Sequence, residues 1–157
     1  LKLLAGRTKD ALLPLGRTRC LRAGRTEGRL MGGNLSVLCS LAGTKHQPEF
    51  RGAIVLIEDV AEWSYRLDRS WTQLVSAGVF RGARGLVLGQ WERCLPAGRA
   101  KHSARTVMES LADGLKIPCL AGAAFGHGKK NMAWPLGLRA ELHASAGRLR
   151  LLEDAAQ

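Results

Sequence analysis

Three short apolar runs alternate with helical stretches, and this order constrains the fold more than any other feature of the chain. The runs cover residues 53–58, 85–89 and 118–121, and each has the length of a buried strand. Helices are predicted between them, over residues 65–77 and 103–113, each ended by a glycine. Strands that alternate with helices are typical of an α/β domain. We therefore predict an α/β fold with a short parallel or mixed sheet and flanking helices.

Both ends of the chain add elements to this pattern. Asn34 is a suitable helix N-cap and Gly43 a suitable stop, so a further helix is predicted between them. Apolar and polar residues alternate over residues 138–143 and 148–151 around a glycine-containing turn, which predicts a terminal β-hairpin. Residues 1–26 contain three unevenly spaced Gly-Arg-Thr triplets, so they are predicted to form an extended connector and no repeat.

The charge of the chain does not by itself indicate a nucleic-acid partner. The 157 residues carry 24 basic and 13 acidic side chains, a net charge of +11, and basic residues are dense only over residues 2–30. One tyrosine and three phenylalanines are too few for a platform that stacks single-stranded bases. No apolar run approaches the roughly 18 residues that a membrane-spanning helix needs. Nucleic acid and membrane are therefore not expected as partners.

No metal, cofactor or disulfide framework is expected from the cysteines and histidines. The four cysteines are widely spaced without a Cys-x-x-Cys pair, which favours reduced thiols in a reducing compartment. His46 and His143 lack the spacing of metal ligands. The glycine-rich loop at residues 122–130 departs from the phosphate-binding pattern, since Ala123 and Lys130 stand where a glycine and a Ser or Thr belong.

Glu58 and His127 are the candidate catalytic residues. Glu58 is the last residue of the predicted strand 53–58, and His127 lies in the glycine-rich loop that follows the predicted strand 118–121. Ligand-binding groups in open α/β sheets gather at the carboxyl ends of strands. A carboxylate that orients a histidine forms two thirds of a nucleophile–base–orienter triad. Alternatives remain open: Asp59 or Glu62 could be the orienter, Glu58 could cap the following turn, and His127 could bond only to backbone.

The third member of such a triad is missing from the sequence. A nucleophile elbow has the form Gly-x-Ser-x-Gly, and no serine or cysteine of this chain lies in one. None of the serines is therefore nominated as nucleophile: Ser36, Ser40, Ser64, Ser70, Ser76, Ser103, Ser110 and Ser145. The chain is predicted to hold the base and the orienter only.

Several ordered stretches together resemble one known family. They are Gly-Arg-Leu-Met-Gly-Gly-Asn-Leu-Ser-Val-Leu at 28–38, Leu-Ile-Glu-Asp at 56–59, Tyr-Arg-Leu-Asp-Arg at 65–69, Gly-Gln at 89–90, Gly-His-Gly at 126–128 and Pro-Leu-Gly at 135–137. The family is that of the serine LD-carboxypeptidases, the muramoyltetrapeptide carboxypeptidases and their microcin-immunity relatives. The resemblance covers roughly residues 24–153, and several motifs in order are more specific than one.

The resemblance implies a protein of two domains. An N-terminal domain would carry the serine nucleophile and the oxyanion-hole amides, and a C-terminal domain of swivelling β/β/α type would carry the glutamate and histidine, here Glu58 and His127. Residues 1–26 are then the interdomain connector and residues 27–155 the C-terminal domain, with the N-terminal domain absent from this chain. Ala61 and Ser64 depart from the glycine and proline that relatives more often carry.

The resemblance also implies a reaction. The family removes the terminal D-alanine from the murein tetrapeptide during cell-wall recycling in the cytoplasm, without metal or cofactor, and its members are often homodimers. One alternative is a microcin-immunity hydrolase of peptidyl-nucleotides. A second is a truncated, silent domain that binds peptide or RNA.

Overall fold

A computed structural model describes residues 8–96 and 102–155, which form one mixed sheet with helices packed on it. The strands are β1 Arg19–Arg22, β2 Arg25–Asn34, β3 Ala53–Val60, β4 Gly85–Glu92, β5 Cys119–Ala121, β6 Arg139–His143 and β7 Arg148–Leu151. The helices are α1 Leu35–Leu41, α2 Ser64–Ser76 and α3 Ala104–Asp113. A short 3-10 turn, Ala144–Ala146, joins β6 to β7.

The predicted α/β class is confirmed by the order of the strands. The seven described strands lie in the order β1-β5-β4-β3-β2-β6-β7. The four in the middle, β5, β4, β3 and β2, are parallel to one another, whereas β1, β6 and β7 pair antiparallel. Parallel central strands are covered on both faces, which explains why the apolar run of β3 is uninterrupted.

Alternation along β3 divides the hydrophobic core into two clusters. Val55 and Ile57 face the three helices, where they pack with a cluster that includes Leu67 on α2. Ile54 and Leu56 face the other side of the sheet, and the hairpin and the N-terminal segment cover them there. By the same period of two, consecutive residues at the end of β3 point to opposite sides of the sheet.

The N-terminal segment runs from the edge strand β7 to the other edge of the sheet, where it forms β1. The backbone N–H of Leu13 donates to Leu149 O on β7 at 2.9 Å, and Ala124 N donates to Leu15 O at 2.8 Å. Leu13 and Leu15 are buried, and β1 then pairs with β5. The extended conformation predicted here is therefore packed against the core over residues 8–22. Lys2 and Arg7 of the basic run lie outside the described residues. The division at residue 26 between connector and domain remains a prediction.

The predicted helices and strands are found within a few residues of their expected bounds. Asn34 caps α1 by accepting from Val37 N at 3.0 Å, and Ser103 caps α3 by accepting from Thr106 N at 3.2 Å. The predicted hairpin is confirmed as β6 and β7. β3 continues two residues past Glu58, so Glu58 is not the last residue of its strand. Within the described parts of the chain, no helix combines the length and apolar character that crossing a membrane requires.

The strands β1 and β2 are not predicted from the sequence. Glycines interrupt the apolar pattern of β2, and at one of them only glycine fits. A Cβ at Gly32, where φ is +136°, would lie 1.9 Å from Leu56 O of the neighbouring strand. This close backbone approach is a tertiary requirement that hydrophobic periodicity does not register.

Candidate active site

Glu58 lies at a bulge near the carboxyl end of β3. Ile57 pairs with Leu88 and Asp59 pairs with Trp91, so β4 contains one more residue than β3 between these two pairs. Such bulges re-aim side chains and occur frequently beside active sites. The Glu58 side chain is 7% exposed and lies on the same side of the sheet as Leu56, in the wall of a cavity.

The structure brings His127 to Glu58. The distance from His127 Nδ1 to Glu58 Oε2 is 2.8 Å, and the imidazole is 51% exposed, whereas the carboxylate is buried. An ionised carboxylate is only an acceptor, so in this contact Nδ1 carries the hydrogen. The other ring nitrogen, Nε2, is then an unprotonated acceptor in the neutral imidazole. That is the tautomer a histidine needs to act as a general base.

Two glycines beside His127 make this contact possible. A Cβ at Gly126, where φ is +118°, would lie 2.7 Å from Glu58 Oε2. A Cβ at Gly128 would lie 2.2 Å from Gln90 Oε1. A larger residue at either position would displace the end of the Glu58 or Gln90 side chain from its contact with the loop. The glycines thus allow the close approach of the loop to β3 and β4.

The imidazole borders a cavity of about 550 Å³, and part of the cavity wall is apolar. Phe125 and Trp134 pack together in this wall, with their ring centroids 4.8 Å apart. Met132 and Leu136 continue it and are 40% and 55% exposed. The lining residues are Gly33, Leu56, Glu58, Phe125, Gly126, His127, Gly128, Asn131, Met132, Trp134 and Leu136. Neither a serine nor a cysteine is among these lining residues within the described chain.

The two alternative orienters are engaged elsewhere. Asp59 accepts from Asn34 Nδ2 at 2.8 Å, from Ser36 N at 3.0 Å, from Ser36 Oγ at 2.7 Å and from Val60 N at 2.7 Å. These bonds place Asp59 on the helix side of the sheet, at the start of α1. The distance from Glu62 Oε2 to Arg66 Nη1 on α2 is 3.7 Å. Among the described residues, Glu58 is therefore the carboxylate that contacts His127.

Two of the four cysteines lack the environment of a nucleophilic thiol. All four are free thiols. Burial raises the pKa of Cys119 to about 12, and burial, together with nearby carboxylates such as Asp59, raises the pKa of Cys94. A nucleophilic cysteine needs a lowered pKa, so neither of these two thiols has the required environment. Groups of three or more His, Cys, Asp or Glu side chains able to hold a metal ion are not found in residues 8–96 and 102–155.

Sequence reasoning missed two parts of the site. Gln90 bonds to the His127 loop through its backbone and its side chain, and it is visible in the sequence only as part of the Gly-Gln stretch. The apolar wall at residues 132–136 was also missed. The apolar residues Met132, Trp134 and Leu136, in a stretch with no predicted strand or helix, are the sequence signal that could have indicated it.

Comparison with known proteins gives one consistent family. The family described as LD-carboxypeptidase C-terminal domain matches residues 27–142. The chain is 38% identical over 129 residues to the murein tetrapeptide carboxypeptidase of Pseudomonas aeruginosa, with 80% of this chain and 40% of the relative covered. The chain thus spans about two fifths of the length of such curated relatives.

Two solved structures share the fold. The muramoyltetrapeptide carboxypeptidase from Oxalobacter formigenes superposes with a TM-score of 0.71 at 30% identity, covering 87% of this chain and 50% of that chain. MccF, the microcin C7 self-immunity protein of Escherichia coli, superposes in its complex with glutamyl sulfamoyl guanosine with a TM-score of 0.77 at 26% identity. That match covers 90% of this chain and 42% of the MccF chain.

Proposed function

This chain belongs to the LD-carboxypeptidase family through its C-terminal domain, and on that premise we propose that it supplies the base and the orienter of a Ser-Glu-His triad. The whole protein would remove the terminal D-alanine from a murein tetrapeptide. The observation that carries the proposal is the 2.8 Å contact between His127 Nδ1 and Glu58 Oε2 in the wall of an open cavity. The chain alone is expected to be inactive.

In this mechanism His127 moves one proton in each half of the reaction. A serine from outside this chain attacks the carbonyl carbon of the scissile amide while His127 Nε2 takes its proton. When the tetrahedral intermediate collapses, the same proton goes to the leaving D-alanine nitrogen and an acyl-enzyme remains. Water then attacks the ester carbonyl while His127 Nε2 takes a proton from it and passes that proton to the departing serine oxygen, which releases the tripeptide as its carboxylic acid and restores the serine. Glu58 keeps the hydrogen on Nδ1 and stabilises the imidazolium in both halves of the reaction.

The residues that line the cavity favour a nucleophile that comes from outside this chain. The cavity lining holds no serine or cysteine among the described residues. The apolar part of the cavity wall includes Met132 and Leu136, which are 40% and 55% exposed. We propose that substrate and the remaining part of the protein cover this wall, which would exclude water from the reacting groups.

A second candidate function is hydrolysis of a peptidyl-nucleotide. It is favoured by the TM-score of 0.77 with MccF, whose structure holds glutamyl sulfamoyl guanosine. The aromatic pair Phe125 and Trp134 lines the cavity and offers an apolar surface beside the base. The catalytic roles of Glu58 and His127 would be the same, and only the group recognised around the scissile bond would differ.

The experiment is a chimera that supplies the missing part. The segment of the Pseudomonas aeruginosa enzyme that aligns with this chain is replaced by the corresponding residues of this chain, and release of D-alanine from murein tetrapeptide is measured. We expect turnover by the chimera and none by this chain alone. His127→Asn should reduce kcat by about 10³-fold or more, because loss of a triad member leaves only residual catalysis.

Matched controls separate the outcomes. His46→Asn changes an exposed histidine of the loop after α1 and should leave the rate unchanged. A chimera that keeps its rate with His127→Asn would contradict the triad assignment. Cleavage of a peptidyl-nucleotide without D-alanine release would favour the second candidate. A folded chimera that cleaves neither substrate would favour the silent binding domain.

A further inference from the structure

We propose that Gln90 is a positioning residue that holds the His127 loop so that Nε2 faces the cavity. This inference deepens the proposed function and rests on it. Three hydrogen bonds of Gln90 carry it. Gln90 N donates to Phe125 O at 3.1 Å, Gln90 Oε1 accepts from Gly128 N at 3.0 Å, and Gln90 Nε2 donates to Lys130 O at 3.2 Å.

These bonds bracket His127 on both sides. Phe125 precedes the histidine by two residues, and Gly128 and Lys130 follow it within three. The primary amide of Gln90 uses both its acceptor and its donor on one loop, which fixes the loop in two directions. The contact between His127 and Glu58 holds only the ring. Gln90 therefore supplies the restraint on the backbone from which the ring projects.

The surrounding backbone is shaped to admit this side chain. The extra residue of β4 at the bulge falls at Gly89 and Gln90, so Gln90 N bonds to the loop that follows β5 and not to β3. A Cβ at Gly89 would lie 2.7 Å from Phe125 O, and a Cβ at Gly128 would lie 2.2 Å from Gln90 Oε1. Bulge and glycines together bring β4 and the loop to hydrogen-bonding distance.

The restraint matters because the imidazole is 51% exposed and its loop has no regular secondary structure. An unrestrained loop would lose part of its order, and a misplacement of about 1 Å at a reacting group can cost about 10²-fold in rate. A polar side chain that fixes a catalytic loop from the neighbouring strand is a general means of preorganisation. Gln90 meets that description through three partners on one loop.

The experiment reads the ring directly in the 157-residue chain, without turnover. Nitrogen-15 NMR of the histidine ring nitrogens gives the tautomer of neutral His127, and hydrogen exchange gives the protection of the Gly128 amide. Gln90→Met keeps the side-chain length and removes both hydrogen bonds of the side-chain amide. Gln47→Met is the matched control, since Gln47 Oε1 accepts from Gly43 N at 2.8 Å in another loop.

We expect wild type and Gln47→Met to carry the hydrogen on Nδ1. Gln90→Met should show a mixture of tautomers and at least about 10-fold faster exchange of the Gly128 amide, because a local opening then costs less free energy. Gln90→Glu retains an acceptor for Gly128 N and loses the donor to Lys130 O. It should keep the Gly128 protection within about threefold of wild type and should still show a mixture of tautomers.

Each result that would contradict the proposal has a different meaning. If Gln90→Met leaves both the tautomer and the Gly128 exchange as in wild type, Gln90 does not position the loop. If Gln90→Met does not fold, the isosteric Gln90→Glu decides, and a wild-type tautomer in that variant overturns the proposal. If the wild-type chain itself carries the hydrogen on Nε2, the orienting role of Glu58 fails, and with it the proposed function.

Discussion

Two adjacent carboxylates on β3 have opposite surroundings. Asp59 is 1% exposed and accepts hydrogen bonds from Asn34, Ser36 and Val60, so its acceptor capacity is used within the fold. Glu58 contacts the ring of His127, which is half exposed in an open cavity. A buried carboxylate whose acceptor capacity is used within the fold anchors the structure. A carboxylate bound to a titratable group at a cavity is available for chemistry.

The largest expected effect is on turnover, from Glu58→Gln in the chimera. The amide can donate to Nδ1, which favours the wrong tautomer, so kcat should fall by about 10³- to 10⁴-fold. Stability should change by no more than about 1 kcal/mol, since the replacement is isosteric. D-alanine release and urea unfolding of the chimera measure the two quantities. A kcat within tenfold of wild type would show that Glu58 is not a member of the triad.

The reverse pattern is expected for Asp59→Asn. Removing the charge from a buried acceptor of several bonds should destabilise the chain by about 2–4 kcal/mol. The kcat of the folded chimera should stay within about tenfold of wild type, because Asp59 does not touch the ring. Asp68→Asn, on the exposed face of α2, is the control for the same chemical change. If Asp59→Asn abolished turnover and left stability unchanged, the comparison would be wrong.

A smaller effect on stability is expected for Gly126→Ala. The residue has φ +118°, and a Cβ there would also lie 2.7 Å from Glu58 Oε2. Gly137 has φ +91°, and a Cβ there would have no neighbour within 4 Å, so Gly137→Ala reports backbone strain alone. We expect about 1 kcal/mol for Gly137→Ala and about 2–3 kcal/mol for Gly126→Ala, from urea unfolding midpoints. Equal losses of stability in the two variants would show that the overlap of the new Cβ with Glu58 does not contribute to the effect of Gly126→Ala.

The smallest effect is expected from Glu141→Gln, on β6. The hydrogen bond from Arg25 holds the pKa of Glu141 below its usual value of 4.5. Because the folded-state pKa is lowered, the stabilisation is complete above pH 4.5 and disappears as pH falls through the folded-state pKa. Arg25 is 62% exposed, so the loss at neutral pH should be under about 1 kcal/mol.

Salt distinguishes this pair from the Asp59 cluster. The effect of Glu141→Gln should shrink further in about 1 M NaCl, because the charge of Arg25 is largely exposed and is screened by salt. The effect of Asp59→Asn should persist, since its partners are neutral groups in a buried environment. Unfolding curves at low and high salt check both. An Asp59→Asn effect that vanished in salt would mean that this cluster is also held mainly by screened charge.

Local patterns predicted most of the fold but less of the site. The apolar runs, caps and alternation of the hairpin predicted β3 to β7 and the three helices, because each has a periodic or capping signal. Period-two alternation separates Glu58 from Asp59, but which of the two faces the helices depends on where α1 packs. Asp59 could therefore not be excluded as the orienter. Gln90 could not be predicted, because its bonds depend on a bulge and on a loop 35 to 40 residues away.

The most direct test of the proposed triad is a double-mutant cycle of Glu58→Gln and His127→Asn in the chimera. The cycle is read as kcat for D-alanine release. If Glu58 acts through the ring, the double variant should be no slower than His127→Asn alone, because residues that act as a unit are strongly non-additive. Losses that multiply in the double variant would show that the two residues act independently, and the proposed triad would be wrong.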